Sequence, residues 1–191
     1  ENATFNPATS KNPKNLGVIY LGQSGKWVPN CDNYPGGTIP QRNLTGYTIG
    51  DNAVIYGPQG SLRASVSHLT NYAIMLSNGG KTKQGKQVIS EESSKQILKP
   101  RDQFHGAMSG SKNDFHTYGL GIFTTTYRSS DILISHEVVK GHTGAAYNLI
   151  SAQHFWGGYT LTYAINGALN GYKSVANSIY EYERVAIHTA A

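Results

Sequence analysis

The chain has 191 residues, of which 38% are hydrophobic and 14% are charged, with a net charge of +5 at pH 7. This length suffices for one domain with a core and is short for two. The basic residues are dispersed, apart from Lys81, Lys83 and Lys86 in a glycine-rich turn, so the charge does not indicate nucleic-acid binding. No apolar run approaches the roughly 20 residues of a membrane span. We therefore expect neither nucleic acid nor a membrane span.

Turn signals recur through the first 60 residues, for example at Asn12-Pro13 and in the run from Tyr34 to Gly37. Two short apolar stretches, 16–22 and 52–57, predict brief strands, and the remainder is predicted to be irregular backbone lying against a larger body. A loop region of this length is unusual in a self-sufficient domain. It leads us to expect that part of the fold comes from elsewhere.

Two helices are predicted in the middle of the chain. The first covers 65–78, where apolar residues recur at helical spacing, Ser65 is the expected N-cap and Gly79-Gly80 ends the helix. The second covers 91–98, with Ser90 as its cap and two glutamates in the first turn, where the helix dipole favours acids.

The remainder of the chain predicts strands and a closing helix. A Trp156-Gly157-Gly158 turn predicts a hairpin connection between two of the strands. The predicted strands are 118–127, 131–138, 145–153 and 158–168, and the predicted helix is 172–188. The sum is an α+β fold, an antiparallel sheet flanked by helices. We expect a single domain segment over 1–191 that is loop-rich over 1–60, helical over 61–100 and built of strands plus a C-terminal helix over 115–191.

The tetrapeptide Gly141-His142-Thr143-Gly144 precedes the predicted strand 145–153. Thr143 offers a hydroxyl, His142 a cation or hydrogen-bond donor, and Gly144 a place where a ligand approaches the backbone closely. The N–H of Ala145 is a candidate donor to a developing oxyanion. Taken alone, such a tetrapeptide is more often a structural turn than a site.

Other stretches agree with this motif in order and spacing. The succession "YGPQGSLRASVSHLTNYAIMLSNGG", "VISEESSKQIL", "YGLGIF", "GHTGAAYNLIS" and "YTLTYAING" resembles the C-terminal half of the serine β-lactamase and penicillin-binding-protein superfamily. It looks most like the branch of class C β-lactamases, esterases and D-amino-peptidases. The resemblance implies a β-lactamase/transpeptidase-like fold and a cofactor-free serine hydrolase. Such an enzyme transfers acyl groups from amides, esters or β-lactams through a Ser acyl-enzyme.

The resemblance also assigns roles to single residues. His142 and Thr143, with Gly144, would bind the carboxylate or carbonyl side of a small-molecule or peptide acyl substrate. The Ala145 N–H would be one oxyanion-hole donor, and the loop 56–60 would lie at the rim of the site.

The chain departs from the family pattern in its nucleophile. The family uses Ser-x-x-Lys at a helix N-terminus and a Tyr-x-Asn or Ser-x-Asn shuttle, and none of the 13 tyrosines here is followed by x-Asn. Ser109-Gly110-Ser111-Lys112 matches by letter, as do two Ser-x-Asn triplets at 10–12 and 111–113, and we interpret all three as coincidental. We therefore expect a missing N-terminal segment or a companion chain to supply the nucleophile, and the isolated chain to fold poorly.

Two sequons, at Asn2 and Asn43, predict glycosylation and a secreted or extracellular location. In that setting the single cysteine, Cys31, is a disulfide candidate with its partner elsewhere. The seven histidines show no metal-ligand spacing, so no metal is expected. Two alternatives remain open: a catalytically inactive β-lactamase-like subunit with a binding or structural role, and, more remotely, a lectin-like secreted domain.

Overall fold

The computed structural model describes residues 3–10, 12–41, 43–48, 60–103, 117–125, 134, 137–169 and 189, and the fold is α+β with antiparallel sheets and few helices. The helices whose bounds fall within these described residues are α1 (Val66–Ser77) and α2 (Glu91–Leu98). The strands are β1 (Ile19–Gln23), β2 (Lys26–Cys31), β3 (Asp102–Gln103), β4 (Thr117–Tyr118), β5 (Phe123–Thr124), β6 (Lys140–Ala146), β7 (Leu149–Trp156), β8 (Tyr159–Ile165) and β9 (Gly167–Leu169). Short 3₁₀ turns at Pro7–Thr9 and Pro13–Asn15 precede them.

The larger sheet has six antiparallel strands in the order β3-β4-β5-β6-β7-β8. Its three long strands are joined by two-residue turns at Tyr147-Asn148 and Gly157-Gly158. All four turn residues have positive φ, from 50° to 83°, as type I′ turns require, because this turn matches the twist of the strands it connects. The glycine turn confirms the sequence prediction, and β8 lies within the predicted strand 158–168.

The smaller sheet has the order β2-β1-β9, antiparallel between β2 and β1 and parallel between β1 and β9. The chain passes from the larger sheet to the smaller one at Asn166, between β8 and β9. The Asn166 side chain donates to the Val18 carbonyl over 3.1 Å, and its own carbonyl accepts from Tyr20 N–H at 2.8 Å. The two sheets therefore meet at a fixed junction. Pro29 lies in β2, the edge strand, where a missing N–H costs no ladder bond.

Helices α1 and α2 cover one face of the larger sheet, called here the helix face. Phe155 of β7 packs there with Ala73, Met75 and Leu76 of α1, and Gln153 Nε2 donates to the Leu69 carbonyl at 2.9 Å. Both helices begin where the sequence predicts, because each preceding serine caps its helix by accepting from a backbone N–H three residues on.

The opposite face of the larger sheet holds a second core cluster around Phe123 and Val139. His154 is fully buried beside Phe123, with ring centroids 5.8 Å apart. Burial lowers the pKa of this histidine to about 4, because an apolar environment disfavours the charged imidazolium. The ring is therefore neutral at pH 7.

Several strand predictions are wrong in detail. A continuous strand over 145–153 is not formed, because the Tyr147-Asn148 turn divides it into the end of β6 and the start of β7. The predicted strand 118–127 is instead a tight hairpin, β4 and β5, in which Gly121 has a φ of 76°. Strand β2 was not predicted, and β1 confirms the strand predicted over 16–22.

Other predictions fall outside the described residues: the strand over 52–57, the closing helix 172–188 and most of the strand 131–138. Within the part that the structure describes, no helix is long and apolar enough to cross a membrane.

Candidate functional site

The Gly141-His142-Thr143-Gly144 motif lies inside β6, not at the entry to a strand as the sequence suggested. On one side, β6 pairs with β7 along its whole length, from Lys140↔Phe155 to Ala146↔Leu149. On the other side, β5 pairs with β6 only at Lys140 and Gly141. Among the described residues, the edge of β6 from His142 to Ala146 therefore has no neighbouring strand. We call this segment the open edge.

The hydrogen-bonding direction of the open edge follows from two independent observations. A two-residue I′ turn makes its flanking residues, here Ala146 and Leu149, a hydrogen-bonded pair. Because the direction alternates along a strand, His142 and Gly144 also bond to β7. On the opposite side, Thr125 N–H donates to the Val139 carbonyl at 2.9 Å. Val139 therefore bonds away from β7, and by the same alternation Thr143 and Ala145 do so too.

The backbone N–H and C=O groups of Thr143 and Ala145 consequently point away from β7, into the open edge. Strand β5 does not continue to meet them, because the chain turns back between Tyr118 and Phe123, where Gly119 N–H donates to the Ile122 carbonyl at 2.8 Å. The open edge thus presents two consecutive outward N–H donors, including the one expected at Ala145.

The side chains of the motif alternate between the faces of the sheet. His142 pairs across the strand with Gln153, whose amide contacts α1, so the exposed His142 side chain lies on the helix face. Thr143 pairs with Ala152 and lies on the opposite face. The structure therefore does not place the two side chains side by side; they share only the strand edge between them.

The two glycines of the motif differ in their surroundings. Gly144 is exposed, and a methyl there would lie 3.1 Å from the Ser151 hydroxyl. A methyl at Gly141 would collide with the Gln153 carbonyl and lie 3.0 Å from His154 Nδ1. Only glycine fits at position 141, which makes it a structural requirement of the strand.

A cavity of about 490 Å³ begins at Ala146, at the far end of the open edge. It lies between the two sheets and the first turn of α1. We call it the intersheet cavity. Its lining includes Leu16, Ile19, Cys31, Asp32, Leu62, Arg63, Ser65, Val66, His68, Ala146, Tyr147, Leu149 and Asn166. His142, Thr143, Gly144 and Ala145 are not among the described lining residues, so the cavity adjoins the open edge and does not contain it.

Arg63 and Asp32, which line this cavity, form an ion pair. Arg63 binds the Asp32 carboxylate with two parallel bonds, Nε to Oδ2 at 3.0 Å and Nη2 to Oδ1 at 2.9 Å. Its remaining Nη1 donates to the Ser61 carbonyl at 2.9 Å. Such bidentate pairs fix the guanidinium in one plane, and the Asp32 side chain is only 7% exposed. Tyr34 Oη donates to the same carboxylate at 3.2 Å.

Cys31, the disulfide candidate, also lines the cavity and is partly buried. Burial first, and then the adjacent Asp32 carboxylate, raise the pKa of its thiol above the ordinary value. The thiol is therefore protonated at neutral pH, with its Sγ 3.7 Å from Asp32 Oδ1. A protonated, half-buried thiol exchanges slowly with disulfides, because the thiolate is the nucleophile.

The other predicted site residues are scattered. Asn43 is exposed and its Oδ1 accepts from Thr45 N–H at 2.9 Å, while Asn2 lies outside the described residues, as do 56–59 and 109–112. Gly60 lies at the intersheet cavity. Among the described residues no group of three or more His, Cys, Asp or Glu is arranged to hold a metal ion.

Sequence reasoning missed the residues that build the cavity wall. Asn30 of β2 donates from Nδ2 to the Tyr147 carbonyl and to Asn148 Oδ1, across 117 and 118 residues of chain. Arg63 and Asp32 are 31 residues apart. No local pattern signals pairs so distant, and the one available clue was the Arg63 and Asp32 charges standing in otherwise uncharged stretches.

No family model, curated protein or solved structure matches this chain.

Proposed function

We propose that this chain is the C-terminal segment of a β-lactamase-related serine hydrolase. The reaction would be acyl transfer from an amide, an ester or a β-lactam, through an acyl-enzyme on a serine that this chain does not carry. The observation that supports it best is the open edge of β6. There the residues that the family resemblance assigns to the site lie on a strand whose N–H groups point outward. On that side of the strand, no described strand pairs with them.

In this proposal the Ala145 N–H donates to the oxyanion that forms when the serine attacks the acyl carbon. A backbone donor suits this role because it is fixed before the reaction, and removing one such donor typically lowers turnover by about 10²–10³. The outward groups of Thr143 hold the substrate backbone in an extended conformation, as a peptide does when it adds to a sheet edge. Gly144 leaves room between them.

The side chains of His142 and Thr143 would contact the substrate from opposite faces of the sheet. The exposed His142 lies on the helix face and would contact the substrate's carboxylate or carbonyl from that side. Thr143 lies on the opposite face, and its hydroxyl would contact the substrate from there. The nucleophile and its proton shuttle would come from a preceding segment or a companion chain that docks against the open edge.

The second candidate is a catalytically inactive β-lactamase-like module that binds ligands or partners at the same edge. It is favoured by the sequence, in which no tyrosine is followed by x-Asn and the Ser-x-x-Lys at 109–112 has no helix signal. The same open edge then serves binding without acyl transfer. For either candidate we propose a secreted or extracellular location, because the sequence contains two sequons.

An intact mass of the native protein, with and without reductant, tests the proposal. A mass well above 20.7 kDa, whose additional part contains a helix-borne Ser-x-x-Lys, supports the hydrolase. A drop on reduction would identify Cys31 as the link. A mass equal to this chain plus glycans would overturn the hydrolase and leave the inactive module.

A further inference from the structure

We infer that the intersheet cavity is a specificity subsite that takes an uncharged, largely aliphatic group of the substrate, and that Asp32 keeps the subsite neutral by holding Arg63. This inference rests on the proposed function for the identity of the ligand as an acyl substrate. The cavity's location, rigidity and chemistry each support it independently.

The cavity lies where a substrate on the open edge continues. Ala146 belongs to β6, on the same face of the sheet as His142 and Gly144, and it lines the cavity. An extended group that pairs with Thr143 and Ala145 therefore meets the cavity one residue further along the strand, about 3.3 Å away. A volume of about 490 Å³ lies within the range of small-molecule sites.

The cavity is preformed, because contacts between distant segments fix its walls. Asn30 ties β2 to the Tyr147-Asn148 turn, and Asn166 ties the sheet junction to Val18. On the remaining side, Thr4 and Arg63 exchange two backbone hydrogen bonds of 2.9 and 2.8 Å. A ligand thus meets a rigid pocket and loses little affinity to ordering the protein.

The charges of the described lining cancel. Asp32 and Arg63 are its only acidic and basic residues apart from His68, and their bidentate pair neutralises the guanidinium charge. A carboxylate entering the cavity would lose its hydration beside a guanidinium that Asp32 already neutralises, which is unfavourable. An ammonium group would face the same loss, since the Asp32 oxygens already accept from Arg63 and Tyr34.

The apolar lining favours an aliphatic group. Leu62 and Val66 are 45% and 38% exposed at the cavity, and a ligand would remove them from water. The polar lining residues are largely committed to the protein: Ser65 caps α1 and Asn166 bonds Val18. The group that the cavity is expected to take is therefore uncharged and has an aliphatic body.

The test compares two probes of equal length, hexanamide and adipic acid monoamide, in which a terminal methyl is replaced by a carboxylate. Binding to the native protein is measured by titration calorimetry and by the amide resonances of Ala146 and Tyr147, without any turnover. We expect hexanamide to bind at least about tenfold more tightly than the monoamide. Equal or reversed affinity in the unmodified protein would overturn the inference.

Three variants and one control variant sharpen the result. Asp32→Asn leaves the Arg63 guanidinium uncompensated, so the preference should reverse toward the anionic probe. The double change Asp32→Asn with Arg63→Gln should restore the preference for hexanamide. If neither variant folds, Ala146→Phe remains: it should fill the cavity and weaken hexanamide at least about tenfold. Ala164→Phe, on the same face of β8 and outside the described lining, should leave binding unchanged. Unchanged hexanamide binding by Ala146→Phe would overturn the subsite.

The outcome is separable from the proposed function. If hexanamide binds with the expected preference but the native protein forms no acyl-enzyme, acyl transfer is wrong and the subsite stands as the ligand site of an inactive module. If the acyl-enzyme forms but the preference is absent, the hydrolase stands and the subsite is wrong.

Discussion

The side chain of Asn30 holds the hairpin that ends the open edge. Its Nδ2 donates to the Tyr147 carbonyl at 2.8 Å and to Asn148 Oδ1 at 3.1 Å. Both turn residues are non-glycine residues with positive φ, 53° and 75°, a conformation that costs free energy for a residue such as tyrosine. The contact from β2 therefore stabilises the turn and joins the two sheets beside the intersheet cavity.

Asn30→Ala should lower the free energy of unfolding by about 1–3 kcal/mol, because two hydrogen bonds are lost and Asn148, which is buried, keeps an unsatisfied oxygen. Urea denaturation followed by far-UV circular dichroism measures it. The control is Asn166→Ala, which removes one exposed side-chain bond and should cost less. A loss no larger than that of the control would contradict a role for Asn30 in the turn.

Gly141→Ala should destabilise the protein by about 2 kcal/mol or more, since the added methyl meets the Gln153 carbonyl and His154 Nδ1 at a position that is paired with strands on both sides. Gly17→Ala is the matched control, because a methyl there meets no heavy atom within 4 Å. Thermal unfolding of both variants decides the point. Similar melting temperatures for the two variants would mean that β6 has space at position 141.

Stability should depend on pH through His154. Its pKa is about 4 in the folded protein and 6.5 in an unfolded chain, so between these values the unfolded state binds more protons. The contribution of His154 to the free energy of unfolding is fully present above pH 6.5. It is lost as the pH falls to 4, which lowers the free energy of unfolding by about 3 kcal/mol.

Urea denaturation between pH 4.5 and 7 checks this, with His154→Phe as the comparison. The variant keeps an aromatic ring beside Phe123 but has no titrating group, so its stability should vary less with pH. Parallel curves for the two proteins would contradict a buried, neutral His154.

If the proposed acyl transfer holds, Thr143→Val should lower the acylation rate of the native protein by about 10²-fold, while its melting temperature stays close to that of the unmodified protein. The change removes the hydroxyl at the open edge and conserves shape. Thr162→Val is the control, because its Oγ1 is buried without a described partner and lies away from the edge. An unchanged acylation rate in Thr143→Val would contradict a role for Thr143 in substrate binding.

Local signals explain what the sequence predicted well. The serine caps of α1 and α2 and the Gly157-Gly158 turn each depend on a few adjacent residues, and all three are confirmed. The turn at Tyr147-Asn148 contains no glycine or proline, so the sequence showed no interruption between β6 and β7. It is maintained by Asn30, more than a hundred residues away.

The candidate site divides in the same way. The motif at 141–145 is visible in the sequence because glycines punctuate it, although its position inside a strand depends on pairing with β7. The intersheet cavity was not predictable, since Asp32, Arg63 and Ala146 come from three separate segments. Only the folded arrangement shows that the open edge and the cavity adjoin.

Active-site labelling of the native protein with a fluorophosphonate probe, followed by peptide mapping, tests the proposed acyl transfer directly. We expect one labelled serine, in a Ser-x-x-Lys motif outside residues 1–191, and loss of labelling when a docked substrate analogue occupies the open edge. Absence of labelling, or labelling of Ser109 or Ser111 within this chain, would contradict the proposal that β6 forms one wall of an acyl-transfer site with its nucleophile on another segment.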